Sequence, residues 1–212
     1  MPSSSPLEGA GRGIDSRHRE HGRSYPLNMA EQSVIDDFVN QAHGNLTKVR
    51  SMLKADPSLA VAKSSWGELP IQGAAQTCNR PIAELLLKNG AQLDIFVAAA
   101  LGRVMDVRKF LKADPSLSAA KGVHGLPLMY FAAIGGDTKL AGYLEKHGAG
   151  VNDGVDGGYR AIHAAAIRGD VMMLRWLVQH GADPNKPGFE GKTALDLAKA
   201  GRHRAAAEVL SL

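Results

Sequence analysis

Apolar positions recur along this chain in short bursts of helical spacing, each closed by glycine or proline. Residues 158–185, GYRAIHAAAIRGDVMMLRWLVQHGADPN, show the pattern most regularly. Val171, Leu174, Leu177 and Val178 fall three or four positions apart and predict an apolar stripe on one helix. Asp170 precedes them as an N-cap. Upstream, Ala161, Ile162, Ala164, Ala165 and Ala166 predict a thin helix able to approach its neighbours closely, ended at Gly169, where a left-handed turn is inexpensive. The segment 180–184, His-Gly-Ala-Asp-Pro, stops the second helix. Two helices this short cannot bury their apolar faces alone, so the unit needs stacked copies of itself.

Copies are present. Val34, Ile35, Phe38 and Val39 form a first stripe, and Leu46, Val49, Met52 and Leu53 a second, halted at Pro57, which cannot continue a helix. Residues 67–75 and 82–87 form the next pair, with Pro70 in a first turn where its missing N–H does no harm. Later apolar sets are residues 95–101, then Leu140, Tyr143 and Leu144, and finally Leu195, Leu197, Ala198, Ala206, Val209 and Leu210. Gly158 and Gly191 lie 33 residues apart, as do the Gly-Ala pairs at 148 and 181. The pairs at 90 and 148 lie 58 apart, about eight short of two full periods, so one turn between the second and third units is absent. Residues 38–60 and 96–118 match at 13 of 23 positions and read as a copied block. A residue more than the pattern allows stands between Leu128 and Ala133.

The 33-residue period, the Ile162-His163-Ala164-Ala165 start and the Gly-Ala finish resemble the ankyrin repeat, whose start reads Thr-Pro-Leu-His-x-Ala-Ala. Arg160-Ala161 replaces Thr-Pro, and Leu69-Pro70-Ile71-Gln72 is a second variant. The layout is similar to that of bacterial single-domain ankyrin proteins. The resemblance implies an all-α solenoid of about six helix-turn-helix repeats over residues 31–212, with one inter-repeat finger missing. It also implies that His163 ties its helix start to neighbouring turns, with Gln72, Met129 and Asp196 as its equivalents. Cys78 falls where the signature usually has glycine.

Residues 1–30 are rich in Ser, Gly, Pro and Arg without apolar periodicity and predict a disordered tail. Met29, directly before the first stripe, is a candidate translation start. No apolar run reaches the roughly 18–20 residues of a membrane span, and no secretory signal stands at the N-terminus. The single cysteine permits no internal disulfide and favours a reducing, cytoplasmic location. The net charge of +4 is modest, and the basic excess in residues 186–204 is too sparse for a nucleic-acid stripe.

No catalytic, cofactor or metal constellation is found. His18 and His21 stand in the tail, Asp36 and Asp37 read as solvated groups, and Gly135-Gly136-Asp137 lacks the strand and spacing of a phosphate cradle. Trp176, Met172 and Met173 read as core. The expectation is a non-enzymatic, monomeric protein-binding scaffold. The resemblance implies recognition along a concave face of finger tips and first helices. Trp66, Glu68, His124, Tyr159, Arg160, Phe189 and Lys192 are the candidate contacts, since aromatic and Arg side chains dominate binding energies. The alternative is a small-molecule module, its site in the groove near Gln72, Cys78 and residues 129–130.

Overall fold

A computed structural model describes residues 29–211. The predicted tail, with His18 and His21, lies outside the described residues. Among the described residues, twelve α-helices follow one another: α1 (Met29–Ala42), α2 (Leu46–Ala55), α3 (Pro70–Gln76), α4 (Arg80–Lys88), α5 (Ile95–Ala100), α6 (Val104–Ala113), α7 (Leu128–Gly135), α8 (Thr138–Lys146), α9 (Ala161–Arg168), α10 (Val171–Gln179), α11 (Ala194–Ala200) and α12 (Arg204–Leu210). Consecutive helices pack together as six pairs. The odd-numbered helices stack in sequence from α1 to α11. Behind them α2 packs on α4, α8 on α10 and α10 on α12.

Small side chains set the spacing of the odd-numbered layer. Ala98, Ala99, Ala100, Ala132, Ala133, Ala164, Ala165 and Ala166 are completely buried. At Gly135 a Cβ atom would lie 2.9 Å from the Ala100 carbonyl oxygen and 3.0 Å from that of Ala99, so α7 approaches α5 backbone to backbone. Four of the six second helices begin on Asx caps. Asn45, Asn79, Asp137 and Asp170 each accept a hydrogen bond from the N–H three residues on. In the second to sixth repeats the turn between the two helices passes through a left-handed residue: Gly102, Gly136 and Gly169, but also Cys78 (φ 50°) and Arg202 (φ 58°).

Three predicted core positions are corrected. Val34 (49% exposed), Val178 (41%) and Met172 (72%) face outward. A helix this short buries one narrow stripe, filled in α1 by Ile35, Phe38, Val39 and Ala42, and in α10 by Met173, Leu174 and Leu177. Trp176 is only partly buried, stacked on His180 with ring centroids 4.0 Å apart.

Segments of 14 residues precede α3, α7, α9 and α11: residues 56–69, 114–127, 147–160 and 180–193. We call these the first to fourth fingers. Between α4 and α5 only residues 89–94 intervene, eight fewer, and Asp94 caps α5 directly through the Val97 N–H at 2.7 Å. The expected finger is therefore absent. The copied block is also a copied structure. Asp56 (φ −144°, ψ 98°) and Asp114 (φ −143°, ψ 96°) end their helices identically, and each accepts from the N–H and hydroxyl of the serine two residues on.

The extra residue in the fourth repeat is absorbed at its cap. α3 takes Leu69 as cap and Pro70 as first helical residue, whereas α7 takes Pro127 as cap and starts at Leu128. Tyr130, not Met129, then occupies the place of His163. A proline cap has no N–H to satisfy, so no acceptor side chain is needed there. Tyr130 instead donates its hydroxyl to the Gln76 carbonyl at 3.2 Å, and Met129 is buried core.

Candidate functional site

Two groups of side chains, one at each end of the row of fingers, collect the residues singled out in the sequence. The first centres on Glu68. This residue was expected on the surface, yet only 1% of it is exposed. Its backbone is locked into the tip turn, with its N–H donating to Ser64 Oγ and its carbonyl accepting from the Ser64 N–H, both at 2.9 Å. Its carboxylate meets four partners. Oε1 accepts from Gln76 Nε2 at 2.6 Å and lies 3.3 Å from His43 Nε2. Oε2 accepts from the Trp66 indole N–H at 2.8 Å and lies 3.3 Å from His124 Nε2. Burial pulls the Glu68 pKa up, but hydrogen bonds from His43 and Trp66 and the charges of His43 and His124 outweigh it, bringing it from 4.5 to about 2.

His43, at the end of α1, attracts no notice in the sequence. Its Nδ1 lies 3.1 Å from the Val39 carbonyl and its Nε2 faces Glu68. Both ring nitrogens thus face oxygen acceptors, and only the imidazolium donates to both. Its pKa is raised, first by the Glu68 hydrogen bond. The sequence signal was Gly73 in α3, where a Cβ would stand 2.8 Å from the His43 ring. Glycine at that place makes room for the histidine of the preceding repeat.

Trp66 (45% exposed) projects from the first finger, and His124, exposed, occupies a left-handed position (φ 55°) at the tip of the second. The contact between His124 and Glu68 crosses the place of the missing finger.

The second group joins the third and fourth fingers. Arg160, also expected on the surface, is 5% exposed. Its guanidinium donates to the carbonyls of Asn152 and Gly158, both at 3.2 Å, and of Pro187 at 3.5 Å, stapling the two fingers together. Those acceptors are backbone atoms, which explains why the residue looked available. Beside it, His163 is fully buried. Its Nδ1 accepts from the Arg160 N–H at 3.0 Å and its Nε2 donates to the Lys186 carbonyl at 3.1 Å. The neutral imidazole satisfies both bonds, and burial lowers the pKa accordingly. Gln72 and Asp196 make the same reach-back bonds to Leu69 N–H and Thr193 N–H.

Tyr159 stacks on His163, with centroids 5.4 Å apart, and meets Phe189 edge-on at 6.3 Å. Phe189 is 58% exposed at the tip of the fourth finger. Lys192, also exposed, donates to Glu190 at 2.7 Å, which raises its pKa. Of the seven candidate contacts, Trp66, His124, Phe189 and Lys192 are exposed and Tyr159 is half-buried, while Glu68 and Arg160 lie beneath them as supports.

The groove site near Gln72 is a cavity of about 10 Å³, lined by Gln72, Asp94, Phe96, Val123 and Phe131 among others. That is room for about one water, not for a metabolite. Cys78 donates its thiol to the Ala100 carbonyl at 3.1 Å. Among the described residues, no group of three or more His, Cys, Asp or Glu is arranged to hold a metal ion, and no helix is long and apolar enough to cross a membrane.

No curated protein matches the chain. The family model described as "Ankyrin repeats (many copies)" matches residues 162–210, the span from α9 to α12. Proteins of that family generally mediate protein–protein interaction and are typically non-enzymatic. The four helix pairs before the matched span stack in the same order and the same layer as the two within it, so the described residues form one helical repeat array of which residues 162–210 are ankyrin repeats.

Proposed function

We propose that the array from Glu31 onward is a recognition scaffold without enzymatic activity, acting in the cytoplasm as a monomer. It binds a partner protein along the face built from finger tips and first helices. The observation that carries this reading is the pair of aromatic side chains at the two ends of the finger row. Trp66 and Phe189 stand 45% and 58% exposed on turns that are themselves tightly braced. Exposed aromatic groups on rigid supports are the side chains that concentrate binding energy, because little freedom is lost when a partner covers them.

The test is affinity capture from a lysate of the source cells, followed by titration of the captured partner against Trp66→Ala and Phe189→Ala. Loss of about 2 kcal/mol, or roughly 30-fold in Kd, at either position is expected, with both variants still folded by circular dichroism. Equal affinity of both variants for every captured partner refutes this face.

A further inference from the structure

Glu68 has four hydrogen-bonding positions on its two carboxylate oxygens, and all four are taken. The partners come from four places: Trp66 from the same finger tip, Gln76 from α3, His43 from the end of α1, and His124 from a finger two repeats away. The two exposed groups among them, Trp66 and His124, share one oxygen. We propose that Glu68 is the positioning residue of the recognition face. Its carboxylate holds Trp66 and His124 at a fixed spacing across the missing finger, and its grip weakens as His43 loses its proton.

The titratable groups that meet the carboxylate are His43 and His124, while α3 contributes only the neutral Gln76 amide. The two histidines differ. His124 is half exposed and uses one ring nitrogen, so its neutral Nε2–H form still donates to Glu68. His43 has no such freedom, because a neutral ring donates to Val39 or to Glu68 but not to both. When His43 gives up its proton, the carboxylate also loses the more buried of its two histidine partners as a counter-charge. A buried anion without one draws in water or shifts. Either response releases the indole that Glu68 holds. The pKa of His43 is raised from its ordinary 6.5. The grip is therefore complete on the acid side of that value and lost as pH rises through the raised one.

This inference rests on the recognition face only in naming what Glu68 positions, and its test requires no partner. In the full chain carrying Trp176→Phe, Trp66 is the sole tryptophan. Iodide quenching and fluorescence anisotropy of that residue are followed from about pH 5.5 to about pH 9, across the histidine range. The expected result is a quenching constant that rises about twofold, with a matching fall in anisotropy, as histidine deprotonates. Glu68→Gln, which keeps the side-chain shape but not the charge, is expected to give the high, pH-independent value. His43→Gln, which leaves Glu68 in place, is expected to flatten the profile as well. Circular dichroism confirms that each variant is folded. If Glu68→Gln does not fold, the parent and His43→Gln profiles decide. A parent profile flat across the range, or a variant that keeps the parent's profile, overturns the proposal. A Trp66 that follows pH as stated, but whose removal leaves partner binding intact, refutes the recognition face instead.

Discussion

Replacing His163 with alanine tests the physical account of the array most directly. The ring is fully buried and makes two hydrogen bonds, from the Arg160 N–H and to the Lys186 carbonyl. Alanine leaves both backbone groups without a partner in a site closed to solvent. Each costs about 1–3 kcal/mol. The ring's contact with Tyr159 is also lost, so a destabilisation of about 3–5 kcal/mol is expected. Glutamine at the same position is expected to recover about 1–2 kcal/mol of this. Gln72 already performs that role in α3, accepting the Leu69 N–H at 2.8 Å. The assay is urea unfolding in a Trp66→Phe background, with circular dichroism reporting all helices and Trp176, then the sole tryptophan, reporting α10 by its fluorescence. Because α9 and α10 pack chiefly on each other and on the adjacent repeats, the loss is expected first as an earlier transition of the Trp176 signal. The pH dependence provides a second check. His163 is neutral in the fold with a lowered pKa, so the stability it contributes is complete above its ordinary value of 6.5 and lost as pH falls through the folded value. The glutamine variant lacks that acid-side loss. An alanine variant within about 0.5 kcal/mol of the parent would falsify the account of His163 as a buried tie.

Two further substitutions probe the backbone. Gly135→Ala places a methyl group 2.9 Å from the Ala100 carbonyl oxygen and forces α7 away from α5, so thermal unfolding is expected to show a loss of about 1–3 kcal/mol. Arg202 is exposed and sits at φ 58° in the turn between α11 and α12, where glycine stands in three other repeats. Arg202→Gly is expected to raise stability by about 0.5–1 kcal/mol in urea unfolding, and a loss of that size would show that the left-handed turn is not strained.

The repeat architecture was legible because its signals are local and recur. Glycine and proline mark the stops, and one period relates the copies. Even the missing finger showed as eight absent residues, since deletions change spacing directly. The role of His163 was also legible, through the family resemblance. The cap of α7 was not. Whether Pro127 is the first helical residue or the cap shifts every later side chain by one place, and only packing of Tyr130 against Gln76 reveals the choice. Glu68 and Arg160 were misplaced for a different reason. A charged residue at a finger tip reads as solvated unless its partners are visible. Arg160 is held by carbonyl oxygens, which every residue possesses. Glu68 is held in part by His43, 25 residues earlier, whose only trace is the bare backbone of Gly73.

The missing finger explains why the departures from the repeat pattern gather where they do. Removing eight residues between α4 and α5 leaves the first and second fingers without the neighbour that would separate them. The second finger closes part of that space. Gly122 lies so near Phe96 and Phe131 that a Cβ would stand 3.2 and 3.1 Å from their rings, and those rings pack at 5.2 Å. Past this point the two fingers meet only if they offer each other compatible groups. Two histidines facing each other would repel when protonated, and two carboxylates would repel throughout the neutral range. A carboxylate opposite a histidine attracts, and the buried position of Glu68 strengthens that attraction. With Gln76 and His43 completing the coordination of Glu68, the gap becomes a junction between repeats rather than a break in the array. Trp66 is fixed at that junction, which is why the one step where the solenoid departs from its period carries its most firmly held exposed aromatic group.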